Sequence, residues 1–345
     1  MIAAESTRMF AEAAQGSEVA ARQFSHNQTL MCDLGARLRK SAPQIVFTCA
    51  RGSSDHAATF AKYMIETRLR LPTVSQAPSI SSIYGGQLLH MAGAPFIAIS
   101  QSGRSPDLLL SAQAARAAGA LVIALVNDVA SPLAELAEVV VPLHAGTETS
   151  VAATKSYIAA LAAIVHLCAE WGQDGELLTA LRELPLALEQ AWDQDWSAAV
   201  RVFTGPPSAF VLGRGLTFGI AQEAALKFKE TSGIHAEAFS LAEVAHGPMA
   251  LVKSGFPLLV FPPFDQARLG LEALLAALAE RGASVVIPGP PSAGMTAVPV
   301  AADLHPALAP IVMIQSFYRM INATATARGY DPDRPPHLHK VTSTR

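Results

Sequence analysis

Short apolar runs rich in β-branched residues alternate along this chain with longer stretches in which apolar positions recur every three or four residues. The first pattern is that of a strand buried on both faces and the second that of a helix covering it. Their alternation predicts an α/β fold of doubly wound parallel sheets, flavodoxin-like in plan. A helical arm is expected over 1–40, and strands at 44–49, 94–99, 121–126 and 138–143. The helical string AATFAKYMIET follows the first strand, and a long apolar helix reaches about Trp171. The same order then returns, with a strand at 209–212, the turn GRG, the helix AQEAALKFKET, a strand at 257–261, a helix ending at Gly282 and a strand at 284–287. Glu66 and Glu230 are 164 positions apart, Pro95 and Pro257 162, and Gly119 and Gly282 163. Such near-constant spacing predicts two copies of one unit. The first copy is expected over 41–175, a helical linker over 176–199, the second copy over 200–330 and a tail over 331–345.

A length of 345 residues suits two domains. With 51% hydrophobic and 15% charged residues and a mean hydropathy of +0.31, the chain reads as folded rather than disordered. Its apolar runs are interrupted, as 158–165 is by His166, and none approaches the roughly 18 residues a membrane span requires. The opening MIAAESTRMFAEAAQG is helical and mixed in charge, unlike a secretion signal, so a cytoplasmic location is expected. Against 28 acidic residues stand 25 Lys and Arg, which supply no basic stripe for nucleic acid. Cys32, Cys49 and Cys168 have neither disulfide nor zinc spacing and read as reduced core thiols. The scattered histidines suggest no metal site, and no organic cofactor is implied.

Ligands of open α/β sheets sit beyond the carboxyl ends of the strands, where a helix N-terminus and small hydroxyl residues offer donors to an anion. The first copy has such residues after three strands: Gly52, Ser53 and Ser54; Ser100, Gln101 and Ser102 with Ser105; and Thr147, Thr149 and Ser150. Where the first copy has SQSG, the second has PPFD, so the first is expected to hold a phosphate. Each hydroxyl taken singly is also an ordinary helix cap. In the second copy Glu223, Lys227 and Glu230 fall on one helical face at i, i+4 and i+7. On a solvated helix that is a plain ion-pair stripe, but this helix is alanine-rich and follows a strand and GRG directly, as one packed on a sheet would. The stretch HAEAFSLAEVAHGP is expected as a loop carrying His235, Glu237, Glu243 and His246; the near-neutral pKa of imidazole makes His246 a candidate acid or base. Gly213, Gly215 and Gly219 miss the dinucleotide spacing by one residue, and no strand with an acidic end follows at the required distance. In the tail, His337, His339 and Lys340 are by default solvated.

The strings SQSG, AGTE followed by VAATK, EAALKFKE, IHAE, AHGP and HLHKVT occur in order over almost the whole chain. They resemble the isomerase half of glucosamine-6-phosphate synthase and the stand-alone phosphosugar isomerases and deaminases built from two sugar isomerase (SIS) domains. The resemblance implies phosphate binding at Ser54, Ser100, Gln101, Ser102 and Ser105, with Gly52, Ser53, Val151, Ala152, Ala153 and Glu223 as further substrate contacts. It implies that Glu230 shuttles a proton between sugar carbons one and two while Lys227 assists at the hydroxyls. His246 would open the ring, reaching across from a neighbouring subunit of a homodimer, and Lys340 would form an imine with a ketose phosphate under a folded tail. Ala153 departs from the synthase pattern V-A-S-T-K. A carboxylate sheltered in an apolar cleft would have the raised pKa suited to abstracting a proton beside a carbonyl. A desolvated lysine is nucleophilic enough for an imine, and a gripped phosphate aligns the sugar. Ile2 follows Met1, and about 40 residues precede the first strand, so no amidotransferase domain and no built-in ammonia source are expected. The expected reaction is therefore glucosamine 6-phosphate and water to fructose 6-phosphate and ammonia. The alternatives are deglycation of a fructosamine 6-phosphate, deamination or isomerisation of galactosamine 6-phosphate, and a noncatalytic sugar-phosphate sensor.

Overall fold

The computed structural model describes residues 2–86, 90–290, 294–301, 304–338 and 340. Helices α1 (Arg8–Ala14) and α2 (Gly16–Ser41) lead into β1 (Val46–Cys49), α3 (Ser53–Met64), β2 (Thr73–Ser75), α4 (Pro78–Ser82), β3 (Pro95–Ser100), α5 (Pro106–Ala117), β4 (Leu121–Val126), α6 (Pro132–Leu136), β5 (Val139–Pro142) and α7 (Lys155–Gly172). After α8 (Gly175–Asp193) and α9 (Ser197–Phe203) come β6 (Ser208–Gly213), α10 (Phe218–Ser232), β7 (His235–Ser240), β8 (Pro257–Val260), α11 (Leu271–Glu280), β9 (Ser284–Pro288), β10 (Thr296–Val298) and α12 (Ala309–Ala327).

The strands form two five-stranded parallel sheets, ordered β2-β1-β3-β4-β5 and β10-β9-β8-β6-β7. Both orders follow one path: the second strand flanks the first on one side, and the remaining three wind away on the other. The repeat read from the spacing is therefore a repeat of topology. Its landmarks coincide as well. Pro95 opens β3 and Pro257 opens β8; Gly93 donates to the carbonyl of Gly119 at 2.8 Å, and Gly255 to that of Gly282 at 2.8 Å. Gly119 and Gly282 adopt φ of 84° and 70°, a left-handed conformation that favours glycine.

Every residue of β3 and β4 is buried, as expected of central parallel strands covered by helices on both faces. Three edge strands were not legible in the apolar pattern, namely β2, β7 and β10. The stretch beginning at His235 is not all loop: β7 pairs with β6 from Ser208↔His235 to Gly213↔Ser240. Its polar residues conceal it, since His235 and Glu237 face outward around buried Ala236, an arrangement an edge strand tolerates.

Among the described residues the chain forms two compact units. One takes in the chain through Ser17, Thr149–Thr154 and Leu184–Leu338, and so contains the second sheet. The other takes in Glu18–Glu148, Lys155–Glu183 and Lys340, and so contains the first. In the second-sheet unit the start of the chain is fastened to α12, with Gln315 Nε2 donating to the carbonyl of Ala13 at 3.0 Å and Thr7 Oγ1 to Asn322 Oδ1 at 2.7 Å. In the first-sheet unit Asn27 Nδ2 donates to the carbonyl of Pro142 at 2.8 Å, tying α2 to the end of β5. No helix among the described residues is long and apolar enough to cross a membrane.

Candidate active site

In the first-sheet unit, the neighbouring strands β1 and β3 both lead through short turns into helix N-termini. After β1 the chain turns at Gly52 (φ 56°, ψ −134°), the N-cap of α3, so that Ser53 and Ser54 enter the first helical turn. After β3, Ser100 Oγ accepts the N–H of Gly103 at 2.9 Å. Gly103 has φ of 63°, and a Cβ there would lie 2.1 Å from Ser131 Oγ, so no larger residue fits. Ser105 is the N-cap of α5, but its side chain makes no capping bond. Capping therefore does not account for Ser105. Arg51 grips the buried carboxylate of Asp107 through Nε at 2.7 Å and Nη2 at 2.6 Å, which locks the turn after β1 to the first turn of α5. Ser54, Gln101, Ser102 and Ser105 remain partly exposed beside amides suited to an anion.

The third loop departs from expectation. In the second-sheet unit the carboxylate of Glu12 on α1 accepts from the N–H of Thr149 at 2.5 Å, from its Oγ1 at 2.9 Å and from the N–H of Ser150 at 3.0 Å. The amide and hydroxyl of Thr149 and the amide of Ser150, donors expected to meet a phosphate there, are already filled by a side chain. What Glu12 does instead is fix the start of the segment that presents half-buried Val151, buried Ala152 and half-buried Ala153.

That unit also holds the triad on α10. Lys227, fully buried, has its Nζ 3.1 Å from Glu223 Oε1 and 2.6 Å from Glu230 Oε2. Glu223 is buried too and accepts a hydrogen bond from Tyr318 Oη at 3.2 Å. Burial opposes the charged form of Lys227, yet the two carboxylates outweigh it and raise its pKa above the ordinary lysine range. The apolar cleft expected around Glu230 is not what it meets. Its immediate neighbour is an ammonium, and its side chain keeps 19% exposure, so it is the one reachable carboxylate of the triad. A carboxylate in the last turn of a helix opposes the helix dipole, and Lys227 compensates for that.

Lys340, expected to be solvated unless the tail folds, is ion-paired in the first-sheet unit, with Nζ 3.3 Å from Glu148 Oε2. His246 is exposed in the turn between two short 3-10 segments. His337 is exposed, and His339 lies outside the described residues. Sequence reasoning passed over Glu12 and Glu148. The signal for Glu148 was its place within AGTE just before an apolar helix. Among the described residues no cluster of three His, Cys, Asp or Glu could hold a metal. Of the three cysteines expected in the core, Cys32 on α2 is exposed instead; burial pushes the thiols of Cys49 and Cys168 up to about 12, so neither is a nucleophile at neutral pH.

A family model for the SIS domain matches residues 38–169 and 203–288. The glutamine–fructose-6-phosphate aminotransferase (isomerizing) of Legionella pneumophila strain Paris is 33% identical over 301 residues, covering 84% of this chain and 50% of the relative. The enzyme of the same name from Aeropyrum pernix is 34% identical over 313 residues, covering 85% and 50%. The chain thus spans about half the length of these curated relatives. Among solved structures, a provisionally assigned phosphosugar isomerase from Silicibacter pomeroyi DSS-3 is 40% identical with a TM-score of 0.90, covering 95% of this chain and 100% of that one. The C-terminal domain of glucosamine-fructose-6-phosphate aminotransferase from Francisella tularensis is 25% identical with a TM-score of 0.85, covering 96% and 98%.

Proposed function

This chain belongs to the SIS domain family, and on that premise we propose that it is a phosphosugar aldose-ketose isomerase that deaminates glucosamine 6-phosphate. The observation that carries the reading is the α10 triad, in which a permanently charged, buried lysine stands beside one accessible carboxylate. The α3 and α5 N-termini, with Ser54, Ser100, Gln101, Ser102 and Ser105, take the phosphate, and the grip on that remote group aligns the reacting carbons. His246, supplied by the partner in a homodimer, opens the ring. Glu230 removes the proton from carbon two and returns it to carbon one. Lys227 is too firmly protonated to relay that proton; its charge instead stabilises the oxygen on which negative charge develops. The aldehyde becomes an alcohol, and the carbon bearing the amine becomes a ketimine. Lys340 displaces ammonia from it, forming its own imine, and water then releases fructose 6-phosphate and the free lysine. One water is consumed and one ammonia released. The names of the relatives support the substrate class, since they act on fructose 6-phosphate.

The test is to supply glucosamine 6-phosphate, fructosamine 6-phosphate and galactosamine 6-phosphate to the purified protein and to follow ammonia and ketose phosphate together. Equimolar release from glucosamine 6-phosphate is expected, with Glu230→Gln lowering kcat by about 10²- to 10⁴-fold and leaving phosphosugar affinity intact. Turnover of another sugar without ammonia from glucosamine 6-phosphate overturns the deaminase assignment. Ligand binding with no turnover of any of the three points instead to a sensor.

A further inference from the structure

The ion pair of Lys340 leads to a residue that neither the motifs nor the relatives' names assign. Glu148 is buried, and its carboxylate is held from two sides. Oε1 accepts the N–H of Ser156 at 3.2 Å, and Oε2 accepts Ser156 Oγ at 2.6 Å. Ser156 is the second residue of the 18-residue helix α7, whose N-terminal partial charge favours an anion. The same Oε2 faces Lys340 Nζ at 3.3 Å, and the lysine side chain retains 24% exposure. One partner is thus immobile and the other reachable. Glu148 also lines a cavity of 680 Å³ beyond the carboxyl ends of β3, β4 and β5, together with Gln101, Arg22, Asn127 and His144. A ligand in that cavity would meet both Gln101 and the carboxylate that holds the lysine.

We propose that Glu148 is the positioning residue of Lys340, a fixed carboxylate that places the tail lysine at the end of the sheet and accepts the proton its ammonium must lose before the amine attacks a carbonyl. The inference rests on the reading of Lys340 as the imine-forming lysine. Only the uncharged amine attacks, so one proton must leave the ammonium before the carbon-nitrogen bond forms, and Glu148 Oε2 is within reach to take it. The carbinolamine then loses water, whose departing oxygen receives that proton, so the carboxylate is restored. No oxidant or further reactant enters.

The experiment uses the full chain with fructose 6-phosphate and sodium cyanoborohydride, the adduct being located by mass and its rate of formation followed against pH. Wild-type protein is expected to form the adduct on Lys340. In Glu148→Gln the rate of adduct formation is expected to fall by about 10-fold or more, whereas Glu148→Asp, which keeps a carboxylate, should recover most of it. A purely structural role for Glu148 would slow Glu148→Asp as much as Glu148→Gln, and that result overturns the inference alone. Absence of an adduct on Lys340 in the wild-type protein overturns the imine reading and this inference with it. Ser156→Ala leaves the charge but removes the 2.6 Å bond that shares it. It is expected to slow adduct formation on Lys340 less than Glu148→Gln does, and an unchanged rate would overturn the inference if Glu148→Gln does not fold.

Discussion

Glu12, Glu148 and Glu223 are all buried, and each is stabilised differently: by loop amides and a hydroxyl, by a helix N-terminus with a tail lysine, and by a buried lysine with a tyrosine. A buried ionised carboxylate needs such partners, since desolvation alone would cost several kcal/mol. His166 on α7 is the contrasting case. Its ring is wholly buried against Phe24, with centroids 4.7 Å apart, and burial pushes its pKa down to about 4. The unfolded chain therefore takes up a proton below about pH 6.5 that the folded protein refuses until near pH 4. Stability falls across that window by about 3 kcal/mol and levels off below it. Urea unfolding at pH 7.5 and 4.5 checks this, the acid loss in His166→Leu being smaller by about that amount. At this scale the α10 triad was legible because i, i+4 and i+7 define a face wherever the helix lies. Glu12 was not, because its partners stand 137 and 138 positions away.

The elements that carry the site are short of slack at their ends. Helix α10 stops at Gly233, with φ of 61°, where an added Cβ would lie 2.4 Å from Tyr330 Oη. Arg328 closes the same end, its Nε donating to the carbonyl of Ser232 at 2.8 Å and its Nη1 to those of Thr204 at 2.7 Å and Pro206 at 2.9 Å. These bonds satisfy carbonyls that the helix end and the approach to β6 would leave unpaired. Arg328→Met is expected to cost about 2–4 kcal/mol, read as a lowered urea midpoint at unchanged slope; a midpoint equal to wild type would show that solvent replaces the guanidinium there. The central strands were legible because every position of β3 and β4 is apolar or small and bounded by turn residues. For β7 the opposite holds. Its histidine and glutamate suit an exposed edge, and strand preference depends on that setting more than on the residues themselves.

Over the whole chain, two sheets of one topology have diverged in use. Glu66 of the first copy accepts the N–H of Thr73 at 3.0 Å and so anchors the start of β2, whereas its counterpart Glu230 faces Lys227. On the proposed dimeric mechanism, His246 and Glu230 of one site come from different subunits. Mixing inactive His246→Ala and Glu230→Gln proteins after joint refolding should then restore activity to about a quarter of wild type, because half the dimers carry one intact site. No recovery at any ratio would place both residues in the same subunit. Taken by itself, the amino-acid order determined the fold class, the repeat and the helical face bearing Glu223, Lys227 and Glu230, because periodicity and spacing are properties of a chain read locally. Only the tertiary structure decided which acids are buried and what each one holds. Lys340 meets Glu148 across 192 positions, and Tyr318 meets Glu223 across 95. Such pairings depend on the path of the backbone and on which groups are withdrawn from water, and neither quantity is periodic in the sequence.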